Sequence, residues 1–129
     1  MKNIKWNYMM SNLILSIEDR GGARSTSFSG RREGREVRKK HNLDEKDKDD
    51  NCYTVSMPQN TTSFNPSFFL GLFYQSIKNL GIENFQKKYI FSYDNLYESL
   101  RNVIKNNIDL SITRAKKDLS GMTGLDSYL

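Results

Sequence analysis

One cysteine, one histidine, one tryptophan and two prolines are all that this 129-residue chain holds of those types. The lone Cys52 excludes an internal disulfide, and one Cys with one His excludes the common tetrahedral zinc sites. Long hydrophobic runs are missing too. The longest nearly apolar stretch is residues 68–74, broken by Gly71, whereas a bilayer span needs about 20 residues. Near the N-terminus Lys2 and Lys5 are followed by Trp6, Asn7, Ser11 and Asn12, which interrupt any signal-peptide core. There is no P-loop, no G-x-G-x-x-G and no G-x-S-x-G nucleophile elbow. These absences predict a soluble, cytoplasmic, single-domain protein with no cofactor, no metal and no membrane partner. They rank an enzyme last among the function classes, because no acid, base or metal constellation converges.

What is present is charge, unevenly laid out. Lys and Arg number 20 against 15 Asp and Glu, a net +5. Residues 1–43 carry ten bases and four acids, and the octet 44–51, DEKDKDDN, carries five acids and two lysines. Basic and acidic stretches side by side partly neutralise each other, which weakens a long-range funnel for nucleic acid. The octet, nearly all charge, reads as a solvated surface loop.

Hydrophobic spacing predicts alternating strands and helices. Residues 13–17 form a short apolar run that suits a buried strand. Ser27 or Ser29 is placed to cap a helix reaching about His41. Gly30, Gly34, Val37 and His41 share one face of it, close against a sheet, while Arg31, Arg35 and Arg38 share another. Residues 52–57 read as a second strand, Cys52 as a small buried hydrophobe, and 59–63 as a polar turn. Asn65-Pro66 then opens a helix, because Asn caps well and Pro at the first helical position loses no needed hydrogen bond. Gly81 ends it, residues 82–88 form a helical turn, and 89–93 form a third strand. Asp94 or Asn95 caps a last helix with Leu96, Leu100, Val103 and Ile104 inward. Residues 108–113 fit either strand alternation or helical spacing, and a single helix to about residue 117 is the choice made. Residues 1–11 offer an edge strand, 12–118 the domain, and 119–129 a frayed tail. The class is α/β, with helical crossovers between strands.

Three segments carry a family likeness. Residues 28–38, FSGRREGREVR, match an R-x-x-G-R-x-x-R first helix. Residues 61–73, TTSFNPSFFLGLF, match a polar turn followed by an S-F-x-x-x-L-F helix. Residues 79–91, NLGIENFQKKYIF, match the L-G-x-x-x-F-x-x-K-Y-x-F that follows it. Over residues 13–117 the chain resembles the bacterial STAS-like domains of unknown function (STAS, sulfate transporter and anti-sigma-factor antagonist). The resemblance implies a small sheet of three to four strands with three crossover helices and a short helical turn before the last strand. It also implies a non-enzymatic regulatory domain that binds a protein partner, such as a histidine-kinase-like ATPase or an anti-sigma-type regulator. In the anti-sigma antagonists a Ser at the start of the second helix is phosphorylated and binding is lost. That position falls nearest Pro66, which cannot accept phosphate, with Ser67 one residue later. Ser63 and Asn65 belong to the same turn.

Each candidate has a plainer reading beside the functional one. Ser67 is either a phospho-acceptor or an ordinary helix-start hydroxyl. Arg31, Arg35 and Arg38 either grip an acidic partner or form a solvated face paired with nearby acids, each exposed pair worth about 0–1 kcal/mol. The rival function class is nucleic-acid binding through the basic helix 31–40, although an aromatic platform and helix-turn-helix spacing are missing. Residues 21–27, GGARSTS, have the glycines and hydroxyls of a phosphate loop without its motif. His41 reads as a helix C-cap.

Overall fold

Three short strands, β1 (Met10–Ile14), β3 (Cys52–Ser56) and β5 (Tyr89–Phe91), pair in parallel in the order β1-β3-β5. Between them lie β2 (Ser27–Phe28), α1 (Arg31–Lys40), α2 (Leu43–Lys46), β4 (Ser63–Phe64), α3 (Pro66–Leu80) and α4 (Ile82–Lys88), and α5 (Glu98–Tyr128) follows the last strand. The computed structural model describes residues 10–20 and 24–128, with side chains as far as residue 120. The architecture is α/β, as strand–helix alternation requires. The predicted edge strand at 1–11 falls, apart from Met10 and Ser11 in β1, outside the described residues. So do Gly21-Gly22-Ala23 of the hydroxyl-rich loop and the side chains of the tail. The backbone of α5 is helical through 108–113, which settles the strand-or-helix choice, and it continues to Tyr128 where a frayed tail was expected.

α3 is the centre of the molecule, and local chemistry explains both of its ends. The Asn65 Oδ1 accepts the Ser67 N–H at 2.8 Å and Pro66 occupies the first helical position. Gly81 ends the helix at φ +84°, a conformation that any larger residue adopts only with strain, and the same glycine opens α4. Six of the seven phenylalanines, Phe28, Phe64, Phe68, Phe69, Phe73 and Phe85, are fully buried. Their rings interlock in tilted and edge-on pairs, with centroids 5.1 Å apart for Phe73 and Phe85 and 5.3 Å for Phe64 and Phe68. Each such side chain contributes about 1.5–3 kcal/mol through burial, and the cluster joins α3 to β2, β4 and α4, with Phe91 and Tyr89 of β5 extending it to the three-stranded sheet.

Several expectations change against the structure. The first strand is Met10–Ile14 rather than 13–17, and it is not buried on both faces, since Ile14 is 61% and Met10 60% exposed. Cys52 is half-exposed rather than buried. α1 is capped by neither Ser27 nor Ser29: Gly30 is the N-cap, at φ +94°, with no side-chain hydrogen bond. The glycine face of α1 meets α3 and not a sheet. A Cβ on Gly34 would stand 2.3 Å from the Phe68 carbonyl oxygen, and one on Gly71 would stand 2.1 Å from that of Arg31. α5 begins at Glu98 and not after Asp94 or Asn95, and the Asn95 Nδ2 donates to the Met57 carbonyl at 2.9 Å. Val103 faces outward.

The acidic octet is not a free loop. Residues 43–46 form α2, and Asp47 is buried. Further on, Asp49 accepts hydrogen bonds from the Tyr53 hydroxyl and, at 2.9 Å, from Lys88 Nζ. His41 does stand at the C-cap of α1, as expected, and its Nε2 lies 3.1 Å from Asp19 Oδ2. Asp19 is buried and also accepts Lys40 Nζ at 2.7 Å and the Ser16 N–H at 2.9 Å. Burial alone would raise its pKa, but these partners outweigh it and hold the carboxyl below the ordinary 3.8. A depressed pKa contributes stability that is present above 3.8 and lost as pH falls through the lower folded value. Asp19→Asn should therefore show a shallower loss of stability than wild type in acid urea titrations. Equal acid limbs in the two proteins would mean that the cluster does not form.

Candidate protein-binding site

The segments leading into α1 and α3 are sewn together before either helix begins. β2 and β4 pair in parallel, Ser27 opposite Ser63 and Phe28 opposite Phe64. The ladder extends on both sides, with Thr62 N–H donating to the Thr26 carbonyl and Asn65 N–H to the Phe28 carbonyl, each at 2.8 Å. The hydroxyls of Thr26 and Thr62 add a 2.7 Å bond. Phe28 and Phe64 anchor this small sheet in the core, and the Phe64 N–H donates to Asn107 Oδ1 of α5 at 2.9 Å. Two helix starts are thereby fixed side by side. The exposed backbone N–H groups of a first helical turn attract negative charge.

From below, Arg20 braces the same region. It is buried, and its Nη2 donates to Asn60 Oδ1 at 2.9 Å and Thr61 Oγ1 at 2.8 Å while Nη1 donates to the Ser25 carbonyl at 3.1 Å. Its carbon centre lies 5.5 Å from the Phe28 ring centroid. One guanidinium thus ties the turn after β1 to the turn before β4. Sequence reasoning missed it, since an isolated Arg beside two glycines has no pattern to reveal its partners forty residues on.

The predicted site residues divide in two groups. Ser67, Asn65 and Ser63 come together on the α3 start, Ser67 and Asn65 exposed and Ser63 half-buried. Arg31 lies one turn further along, its carbonyl against Gly71 and its guanidinium 5.9 Å from the Tyr74 ring centroid. Arg31 and Arg35 are exposed, as a cationic face requires. Arg38 is the exception and corrects the predicted stripe: it turns inward and is 8% exposed. Its Nη2 reaches Asp47 Oδ2 at 2.7 Å and Asp44 Oδ1 at 2.8 Å, and its Nη1 donates to Ser76 Oγ and the Leu72 carbonyl, both at 2.8 Å. Asp47 accepts in addition from Ser76 Oγ at 2.8 Å and from the Tyr89 hydroxyl at 2.6 Å. Burial, with Asp47 beside it, drives the Tyr89 hydroxyl far above its ordinary pKa. This network joins α1, α3 and β5 to the segment after α2.

Compared with family models, curated proteins and solved structures, the chain finds no match. Among the described residues no helix is long and apolar enough to cross a membrane, and no three His, Cys, Asp or Glu gather to hold a metal. The exposed groups at this end of the molecule include the hydroxyls of Thr62 and Ser67 and the guanidinium groups of Arg31 and Arg35.

Proposed function

We propose that this chain is a STAS-like regulatory domain that binds a protein partner through the start of α3, with Ser63, Asn65 and Ser67 at the contact. The observation that carries the reading is the parallel β2–β4 ladder, which holds the exposed, Asn65-capped turn in one geometry before any partner arrives. A surface already ordered loses little entropy on binding. The partner class is a histidine-kinase-like ATPase or an anti-sigma-type regulator, and the setting is the bacterial cytoplasm. Ser67 is also a workable phospho-acceptor: its hydroxyl is exposed, and a phosphate there meets the positive end of α3.

A Ser67→Asp substitution tests this. A carboxylate beside the first-turn amides should leave the fold unchanged or stabilise it by about 0.3–1 kcal/mol. In the middle of an interface the same charge, left uncompensated, weakens binding strongly. A two-hybrid screen with the wild-type chain as bait identifies the partner, and calorimetry then compares the two proteins. The expected result is unchanged melting with at least a tenfold rise in Kd. Equal affinity would place the partner elsewhere. Tight retention of duplex DNA, falling linearly with log salt and lost in Arg31→Gln/Arg35→Gln, would favour the nucleic-acid reading instead.

A further inference from the structure

Beside the point where α1 crosses α3 runs an open groove of about 460 Å³. Its floor is Leu70, Gly71 and Tyr74 of α3, and its wall is Arg31, Arg35 and Lys39 of α1. These three cations recur every four residues, so each stands about 6 Å along the helix from the next. Other cations of α1 are already engaged: Arg32 with Glu36, Arg38 with Asp44 and Asp47, Lys40 with Asp19. Arg31, Arg35 and Lys39 make no ion pair among the described residues. The groove therefore offers a row of cations outside any ion pair, beside the half-buried Tyr74 ring over which Arg31 lies.

We propose that this groove docks a short acidic amphipathic helix of a protein partner. Carboxylates four residues apart on that helix repeat at the same spacing of about 6 Å and meet the cations. An apolar side chain on the same face then covers Leu70 and Tyr74, the mode in which grooves between helices take up helical peptides. A nucleic acid fits less well. Asp44 stands at the Arg38 end of the groove with its carboxylate 76% exposed, and Glu45, its neighbour in sequence, is exposed as well. A polyanion longer than the row of about 12 Å runs into that acidic pair, whereas two turns of helix do not. The inference rests on the protein-binding reading and gives the partner's chemistry on a face other than the Ser67 turn.

The test is a display library of random 12-residue peptides panned against the full chain, with Arg35→Glu/Lys39→Glu as counter-selection. Peptides bearing Asp or Glu at i and i+4 with an apolar residue between them should be enriched. Their affinity should fall at least tenfold in the double variant and stay unchanged in Ser67→Asp. Both substituted positions are exposed, so melting should not move, and Arg35→Gln/Lys39→Gln serves if the reversed charges prevent folding. Peptides without acidic bias, equal binding to the double variant, or no enrichment would each overturn the proposal. So would a 20-base-pair duplex that binds wild type and not the double variant, which would make the groove a nucleic-acid contact. Peptides lost in Ser67→Asp but kept in the double variant would overturn the groove while leaving the α3-start reading intact.

Discussion

Gly34→Ala should destabilise the protein by about 1–3 kcal/mol or more, although alanine is the better helix former by about 1 kcal/mol. The added methyl has nowhere to go. Its carbon would stand 2.3 Å from the Phe68 carbonyl oxygen and 2.9 Å from the Leu72 nitrogen, both backbone atoms of α3. A flexible side chain could swing aside, but a helix backbone cannot, so the two helices must separate. Gly71→Ala should act in the same way, since its Cβ would stand 2.1 Å from the Arg31 carbonyl oxygen. Once one methyl has parted the helices, the second meets less resistance, so the double variant should lose less than the two single losses added together. Gly34→Leu should lose more still. Urea midpoints at constant m-value measure all of these. A Gly34→Ala midpoint at or above that of wild type would mean that α1 does not dock on α3 through this crossing.

That glycine face was legible in the sequence while its partner was not. Two small residues on one side of a predicted helix announce a close approach, but they do not say to what, and the sheet named from the pattern turned out to be α3. The same division runs through the molecule. α3 was readable end to end because its signals are local: Asn65 caps, Pro66 starts, Gly81 stops, and Phe69, Phe73 and Ile77 repeat at helical spacing. β2 and β4 were invisible because each is two residues long and exists only through the other, across more than thirty residues of chain. The start of α5 was misplaced, because Asn95, a good cap by type, lies in the turn before the helix, where its Nδ2 ties that turn to the Met57 carbonyl. On the site side, Ser67, Asn65 and Ser63 lie together at the helix start, where the local signals place them. Arg20 and the inward turn of Arg38 depend on tertiary partners, and nothing in the local charge pattern separates Arg38 from Arg35.

The Arg38 clamp leads to the largest expected loss. Asp47→Ala should destabilise the protein by about 3–5 kcal/mol, the penalty of depriving a buried charge of its buried partner. Against a total stability of about 5–15 kcal/mol such a loss brings the fold near its limit. Two hydroxyls would lose their acceptor together, Tyr89 at 2.6 Å and Ser76 at 2.8 Å, and the Arg38 Nη2, now 2.7 Å from Asp47, would keep only Asp44. Asp44 already pairs with the guanidinium at 2.8 Å, but its carboxylate is 76% exposed, so solvent screens it and it compensates the buried charge less than Asp47 does. Arg38→Met should be damaging in the mirror sense, leaving the buried Asp47 carboxylate with only two neutral donors. The combined variant Arg38→Met/Asp47→Leu removes both charges and keeps apolar volume, so it should be more stable than either single change. That reversal distinguishes a charge clamp from simple loss of packing, under which the double variant would be the worst of the three. A full denaturation cycle supplies the numbers, and amide exchange in residues 43–51 reports whether the acidic segment lifts off when the clamp is cut. If Asp47→Ala costs less than about 1 kcal/mol, Asp47 belongs to a solvated loop, as its acidic surroundings alone suggest, and the segment is not what joins α1, α3 and β5.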